Sequence, residues 1–157
     1  MRRTISVLGL VVLVLTLAPA ASADPPVTEP FVPYAGYLYD CGFPILVERE
    51  GGGTWRTWER LSVFVHLTGG IRTQLTNEAT GETISRNTSG AEIDVYNPDG
   101  SMSFTFPGQS LFWSTGLEGF PAVFITHGLF QVVFDANSNM EIKLVGRVED
   151  ICATLAP

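Results

Sequence analysis

The stretch AEIDVYNPDGSMSFTF, residues 91–106, decides the predicted fold class. Its apolar residues fall at every second position on both sides of the central NPDG, as Ala91, Ile93 and Val95, then Met102, Phe104 and Phe106. A period of two is typical of a β-strand that buries one face. The intervening Asn-Pro-Asp-Gly has the residues of a tight turn. The stretch therefore predicts two antiparallel strands joined by a hairpin turn.

The same period of two recurs along the chain from residue 43 onward. The other runs that carry it, or are rich in strand-forming residues, are FPILVE (43–48), LSVFVHL (61–67), IRTQLTN (71–77), PAVFITH (121–127), LFQVVF (129–134) and MEIKLVGRVED (140–150). Turn residues separate the runs at 77–83 and 135–139, while Gly69-Gly70 and Gly128 predict two further breaks. No segment of ten residues has a helical period. About ten short strands joined by short turns predict an antiparallel meander.

Each predicted strand has one apolar and one polar face, so we expect the sheet to cover a single core. A meander hides its edges either by closing into a barrel or by splitting into two packed sheets. We predict an all-β fold in which the antiparallel meander closes into a barrel, with a β-sandwich as the alternative. The cysteines described below favour closure, because a bridge between them would bring the first and last strands together.

The N-terminus has the three parts of a secretory signal peptide. Arg2 and Arg3 precede an apolar run over residues 5–17, and Ala21-Ser22-Ala23 is a cleavage sequence of the A-x-A type. Residues 1–23 are therefore predicted to be removed between Ala23 and Asp24, either by the general route or, given the two arginines, by the twin-arginine route. No later apolar run is long enough to span a bilayer. We expect a secreted, extracellular protein without a stable membrane anchor.

The two cysteines, Cys41 and Cys152, are predicted to form one disulfide. Exported proteins meet oxidising conditions in which disulfides persist. A redox pair is usually C-x-x-C, and a structural zinc site needs four ligands, so neither fits these two cysteines.

We divide the mature chain into an extended, proline-rich N-terminal arm (24–40) and a single β domain (41–157).

Charge excludes some partners. Without residues 1–23, 134 residues remain, with 7 basic and 16 acidic side chains and a net charge of −9. Nucleic acids and anionic membranes need basic patches, so neither is an expected partner. We expect no metal and no cofactor. The calcium-loop pattern at 97–100 would place Val95 and Phe106 where acidic ligands are required.

The segment GGGTWRTWER (51–60) carries the candidate binding residues. Its glycines predict a flexible loop, and its tryptophans beside arginines are typical of contact surfaces: Trp55, Arg56, Trp58 and Arg60. In a barrel, aromatic residues at the mouth can instead hold a small apolar ligand. We therefore expect non-catalytic binding, of a small apolar ligand or of an extracellular protein. We expect Trp113, in a strand-like run, to be a core residue.

His66 and His127 support an alternative function. Each ends a predicted strand, and two histidines on one rim with a carboxylate such as Glu59 or Glu118 could serve acid–base catalysis. Histidines at strand ends are more often surface residues, so the sequence favours a binding protein over an enzyme and we assign no catalytic residue. A third possibility is an interaction or inhibitor protein whose phenylalanines fill the core and leave no cavity.

Three segments also resemble a group of small exported actinobacterial proteins of unassigned activity. They are DCGFPILVE (40–48), LTNEATGETISRNTSG (75–90) and GRVEDICATL (146–155), within a resemblance that covers most of residues 38–155. The resemblance implies a secreted single domain and supplies no site residues.

Overall fold

The computed structural model describes residues 25–58, 63–113 and 116–157, without the side chains of 63–64 and 66–68. The predicted signal peptide with its cleavage site, and Arg60, lie outside the described residues. The described elements are β1 (Val27–Pro30), β2 (Tyr34–Leu38), β3 (Ile45–Trp58), β4 (Val63–Asn77), β5 (Thr83–Asn87), β6 (Glu92–Tyr96), β7 (Met102–Trp113), β8 (Val123–Phe134), β9 (Met140–Asp150) and α1 (Ile151–Thr154). The all-β prediction is confirmed. Over these ranges no helix is long and apolar enough to cross a membrane.

Every strand pairing is antiparallel, and the strands follow the order β1-β3-β4-β6-β7-β8-β9. Two short strands branch from this path, since β2 pairs with β3 and β5 pairs with β4. Because β5 and β6 pair with opposite ends of the long β4, they follow it as one interrupted strand. The hairpin predicted from residues 91–106 is present as β6 and β7, joined by the turn at Asn97–Gly100.

A row of glycines, here called the crease, crosses the long strands. Gly52 lies opposite Gly69, and Gly128 lies between Gly108 and Gly146 on the neighbouring strands. The predicted breaks at Gly69-Gly70 and at Gly128 are therefore wrong, because β4 and β8 run through these positions. A glycine inside a strand permits a sharp bend without ending the hydrogen-bonded ladder.

Beyond the crease the sheet divides into two layers. One layer contains β2, the first half of β3, the second half of β4, and β5. The other layer contains β7 after Gly108, β8 before Gly128 and β9 after Gly146. Apolar side chains from both layers and from the C-terminal helix form one buried cluster: Leu38, Ile45, Val47, Leu75, Leu111, Val123, Ile125, Ile151 and Leu155. The two layers therefore pack face to face.

The predicted closure into a barrel is wrong. Among the described strands no ladder joins β9 to β1 or β2, so the sheet remains open. The physical reason is the crease, which lets one sheet fold over and bury its apolar side chains between two layers. The antiparallel arrangement is compatible with the sandwich that was the alternative.

The predicted disulfide between Cys41 and Cys152 is confirmed, with a Cα–Cα distance of 5.2 Å. It joins the turn before β3 to α1, and thus one layer to the other rather than two neighbouring strands. Asn77 supports the same junction by donating from Nδ2 to the carbonyl of Leu155 at 2.8 Å. The two cysteines are 111 residues apart in the sequence. Closing a loop of about 100 residues stabilises a domain by roughly 4–5 kcal/mol in the chain-entropy model.

The proline-rich arm adds strands β1 and β2 to the edge of β3 that does not pair with β4. Between these two strands, the Phe31 amide donates to the carbonyl of Gly53 at 2.9 Å. The arm therefore covers an edge of β3 that would otherwise be open to pairing with another chain.

Candidate functional site

The register between β6 and β7 turns an acidic face toward the aromatic side chains. Asp94 lies opposite Phe104, whereas Ile93 lies opposite Thr105. Directly opposed residues share a face of the sheet, so the carboxyl groups of β6 lie on the same side as the phenylalanines of β7. The expected separation into one apolar and one polar face is therefore wrong for this hairpin.

On that side a cavity of about 320 Å³ lies beside the crease, and we call it the fork cavity. Five aromatic side chains contribute to its lining: Phe31, Trp55, Phe106, Phe112 and Trp113. Its polar lining comes from Arg49, Thr88, Glu92 and Ser110. An apolar cavity of about 150 Å³ holds benzene, so the fork cavity has room for a ligand of about two rings.

Packed phenylalanines form the wall behind the cavity. Phe106 and Phe112 belong to one strand, yet their rings meet edge to face with centroids 4.8 Å apart. The bend at Gly108, which has a positive φ of 101°, lies between them. The ring centroid of Phe112 also lies 4.8 Å from that of Phe130 and 5.3 Å from that of Phe124. Both of these phenylalanines are fully buried. The wall is therefore anchored in the protein interior before any ligand enters.

Arg49 contributes a positive charge to the cavity. Its guanidinium carbon lies 5.6 Å from the centroid of the Phe31 ring, within the range of a cation–π contact. Its Nε atom is buried and has no hydrogen-bond partner among the described residues. Burial lowers the pKa of Arg49, and the nearby Glu92 opposes that change. The wall therefore presents a buried donor that lacks an acceptor.

Glu92 and Asp94 add carboxyl groups on the same side of β6. Burial, and to a smaller extent the nearby Asp94, raise the pKa of Glu92 from 4.5 to about 7, although Arg49 acts in the opposite direction. Burial also raises the pKa of Asp94, whose Oδ1 atom has no partner within the described part of the chain. A carboxyl group with a pKa near 7 can donate or accept a hydrogen bond at neutral pH.

The predicted aromatic loop is a strand in the structure. Trp55 lies in β3 and lines the fork cavity, whereas Trp58 does not line it and Arg56 is exposed. Trp113 is 47% exposed and lines the cavity, so the prediction that it is a core residue is wrong. Of the predicted binding residues with described side chains, only Trp55 reaches the cavity.

The histidines take separate positions. His127 Nε2 lies 3.1 Å from Glu149 Oε2, and the other carboxylate oxygen of Glu149 accepts from Arg86 at 2.7 Å. These three side chains connect β8, β9 and β5 across the two layers, which is a structural role. The backbone of His66 lies opposite Trp55 and Glu92, but its side chain is outside the described atoms.

Of the two acids considered with the histidines, Glu118 is exposed and Glu59 lies outside the described residues. In the described ranges, no three His, Cys, Asp or Glu side chains are grouped closely enough to hold a metal ion.

A second cavity, of about 460 Å³, is more open and lies over β4 and β5, with Arg72 and Arg86 in its lining. None of its described lining residues is aromatic. The fork cavity is therefore the stronger candidate for a ligand site, because it combines aromatic walls with a few polar groups.

Sequence reasoning missed Arg49 and Glu92, since both lie on strand positions that alternate with apolar residues and look solvent-exposed. The register of the hairpin would have identified them, but that register depends on the interior of the folded protein.

No protein-family model, curated protein or solved structure matches the chain.

Proposed function

We propose that this chain is a secreted binding protein that holds a small ligand with an aromatic or other apolar body in the fork cavity. The observation that carries the proposal is a cavity of about 320 Å³ whose lining combines five aromatic side chains with Arg49, whose Nε atom is buried. Apolar walls supply affinity, and a few placed polar groups supply orientation.

Two features favour this function over docking of an extracellular protein through the tryptophans. Trp55 is held in a paired strand and contributes to a concave wall, whereas a protein-facing anchor needs an exposed surface. A solid-core interaction protein is not favoured either, because the phenylalanine wall leaves the cavity beside it.

Export fits this function. The predicted signal peptide, the disulfide and the resemblance to small exported actinobacterial proteins all support an extracellular, single-domain protein. For the fold we favour a sandwich-like arrangement, with the cavity at the place where the two layers separate.

Native mass spectrometry of the mature protein, secreted by its own host and never unfolded, tests the proposal. We expect a fraction of molecules to carry an extra mass that is released on denaturation. Trp113→Ala should lower that fraction several-fold, because it removes an aromatic side of the cavity.

Tyr39→Ala is the matched control, since Tyr39 is also an exposed aromatic residue, at 68%, but does not line the cavity. A bare chain in every preparation, or equal loss of the mass in both variants, would contradict the proposed function.

A further inference from the structure

We propose that the ligand of the fork cavity is a small aromatic carboxylate whose anionic group pairs with the guanidinium of Arg49. The inference rests on the proposed function, because it names the ligand class of the same cavity. Three observations carry it: Arg49 lies in the cavity wall, its Nε–H has no acceptor among the described residues, and five aromatic side chains line the same cavity.

The chemistry of Arg49 favours a carboxylate. A guanidinium is a planar, permanently charged group whose parallel N–H bonds match the two oxygens of a carboxylate. The buried Nε–H loses its hydrogen bond to water without gaining another in the described protein, and an incoming oxygen would restore it. Phe31 lies against the guanidinium and limits its movement. Arg49 is therefore oriented before the ligand binds.

The charges around the cavity favour a monoanion. Glu92 lines the same cavity, and Asp94 is two residues further along β6, so their carboxyl groups disfavour a dianionic phosphate more than a monoanion. Burial raises the pKa of Glu92 to about 7, so its protonated form can donate a hydrogen bond to a ligand oxygen at neutral pH. A cationic ligand would face the permanent charge of Arg49.

The walls favour an aromatic body. A ligand ring can stack on or meet edge to face the aromatic side chains that line the cavity, which include Phe106, Phe112, Trp55 and Trp113. Such pairs add to the stabilisation that apolar burial alone provides. The volume of 320 Å³ is about twice that of a cavity that holds one benzene ring. A naphthalene-sized probe is therefore suitable for testing the ligand class.

Calorimetry with three probes of one shape tests the inference: 2-naphthoate, the neutral 2-naphthamide and the cationic 2-naphthylmethylammonium. We expect the mature wild-type protein to bind naphthoate at least about tenfold more tightly than naphthamide, and the ammonium probe least. Arg49→Gln should remove the preference for naphthoate over naphthamide. Arg56→Gln is the matched control, because Arg56 lies in the same strand but is exposed; it should keep the preference.

Arg49→Lys supplies a second variant if Arg49→Gln does not fold, because lysine keeps the charge and loses the planar fork. It should bind naphthoate several-fold more weakly than the wild type. Failure of naphthoate to bind, equal affinity for naphthoate and naphthamide, or a preference for the ammonium probe would overturn the carboxylate assignment. The proposed function is decided separately, by the extra native mass, so the two failures are distinguishable.

Discussion

At the scale of single residues, the site depends on buried charged groups whose hydrogen-bonding atoms are not all paired within the described protein. The buried Nε of Arg49 and Oδ1 of Asp94 have no hydrogen-bond partners in the described protein. Buried polar atoms are nearly always paired in native proteins, so each exception requires a physical explanation. We interpret the unpaired donor of Arg49 as the contact point for a ligand.

Glu92 provides a test of this environment through pH. Arg49 faces it from β3, Asp94 and Tyr96 lie on its own strand, and the backbone of His66 lies opposite it in β4. Its pKa is raised from 4.5 to about 7 in the folded protein. Its contribution to stability is therefore fully present below pH 4.5 and is lost as the pH rises through 7.

Glu92→Gln replaces the protonated carboxyl group with a neutral group of similar shape at every pH. The Tm of Glu92→Gln minus the Tm of the wild type should therefore increase between pH 5 and pH 8, by roughly 2–5 °C. That range corresponds to about 1 kcal/mol, because solvent still screens a half-buried carboxyl group. Glu50→Gln, on an exposed carboxyl group of β3, corrects for the loss of one charge. A difference in Tm that falls with pH would show that burial does not control this group.

The residue-scale part of the site could be predicted only where residue type alone indicated it. Trp55 was predicted because large aromatic residues beside arginines are typical of contact surfaces. Arg49 and Glu92 were not, because alternation assigns a residue to one of two faces and does not say which face is inside. That choice depends on the pairing of Asp94 with Phe104, which is a tertiary property.

At the scale of elements, the crease determines the architecture. The sequence predicted strand segments within six of the nine described strands, but not β1, β2 or β5. It also predicted the turns at 77–83, 97–100 and 135–139. It failed at Gly69-Gly70 and Gly128, because a glycine can mark either a chain reversal or a bend within a strand. Only the partner strands decide between the two, and here Gly128 pairs with glycines on both sides.

Gly128→Ala should be strongly destabilising. Gly128 has a φ of 132°, and a Cβ there would lie 2.2 Å from the carbonyl oxygen of Val145, which belongs to the paired backbone of β9. We expect a loss of about 3 kcal/mol or more in the free energy of unfolding, measured by denaturant titration.

Gly81→Ala is the matched control for Gly128→Ala. Gly81 also has a positive φ, of 78°, but no atom lies within 4 Å of a Cβ at that position. It should cost only about 1 kcal/mol, the penalty of a left-handed backbone. Equal losses for the two variants would mean that close strand contact at the crease is not what requires glycine.

At the scale of the whole molecule, one sheet folds at the crease into two layers that the disulfide holds together. The sequence predicted the bridge correctly, because an exported chain with two distant cysteines leaves few alternatives. It predicted the consequence wrongly, since a bridge between the ends of a meander fits a folded sheet as well as a closed barrel. The fold places Arg49 of one layer and Phe112 of the other beside a common cavity.

The most direct test of the ligand site is the ¹H–¹⁵N spectrum of the three tryptophan indole N–H groups in the secreted protein. It would be recorded before and after the ligand is removed by unfolding and refolding with the disulfide intact, with signals assigned from Trp→Phe variants. We predict that the signals of Trp55 and Trp113, which line the fork cavity, change position, while the signal of Trp58 does not. Three unchanged signals, or a change confined to Trp58, would contradict the assignment of the fork cavity as the ligand site.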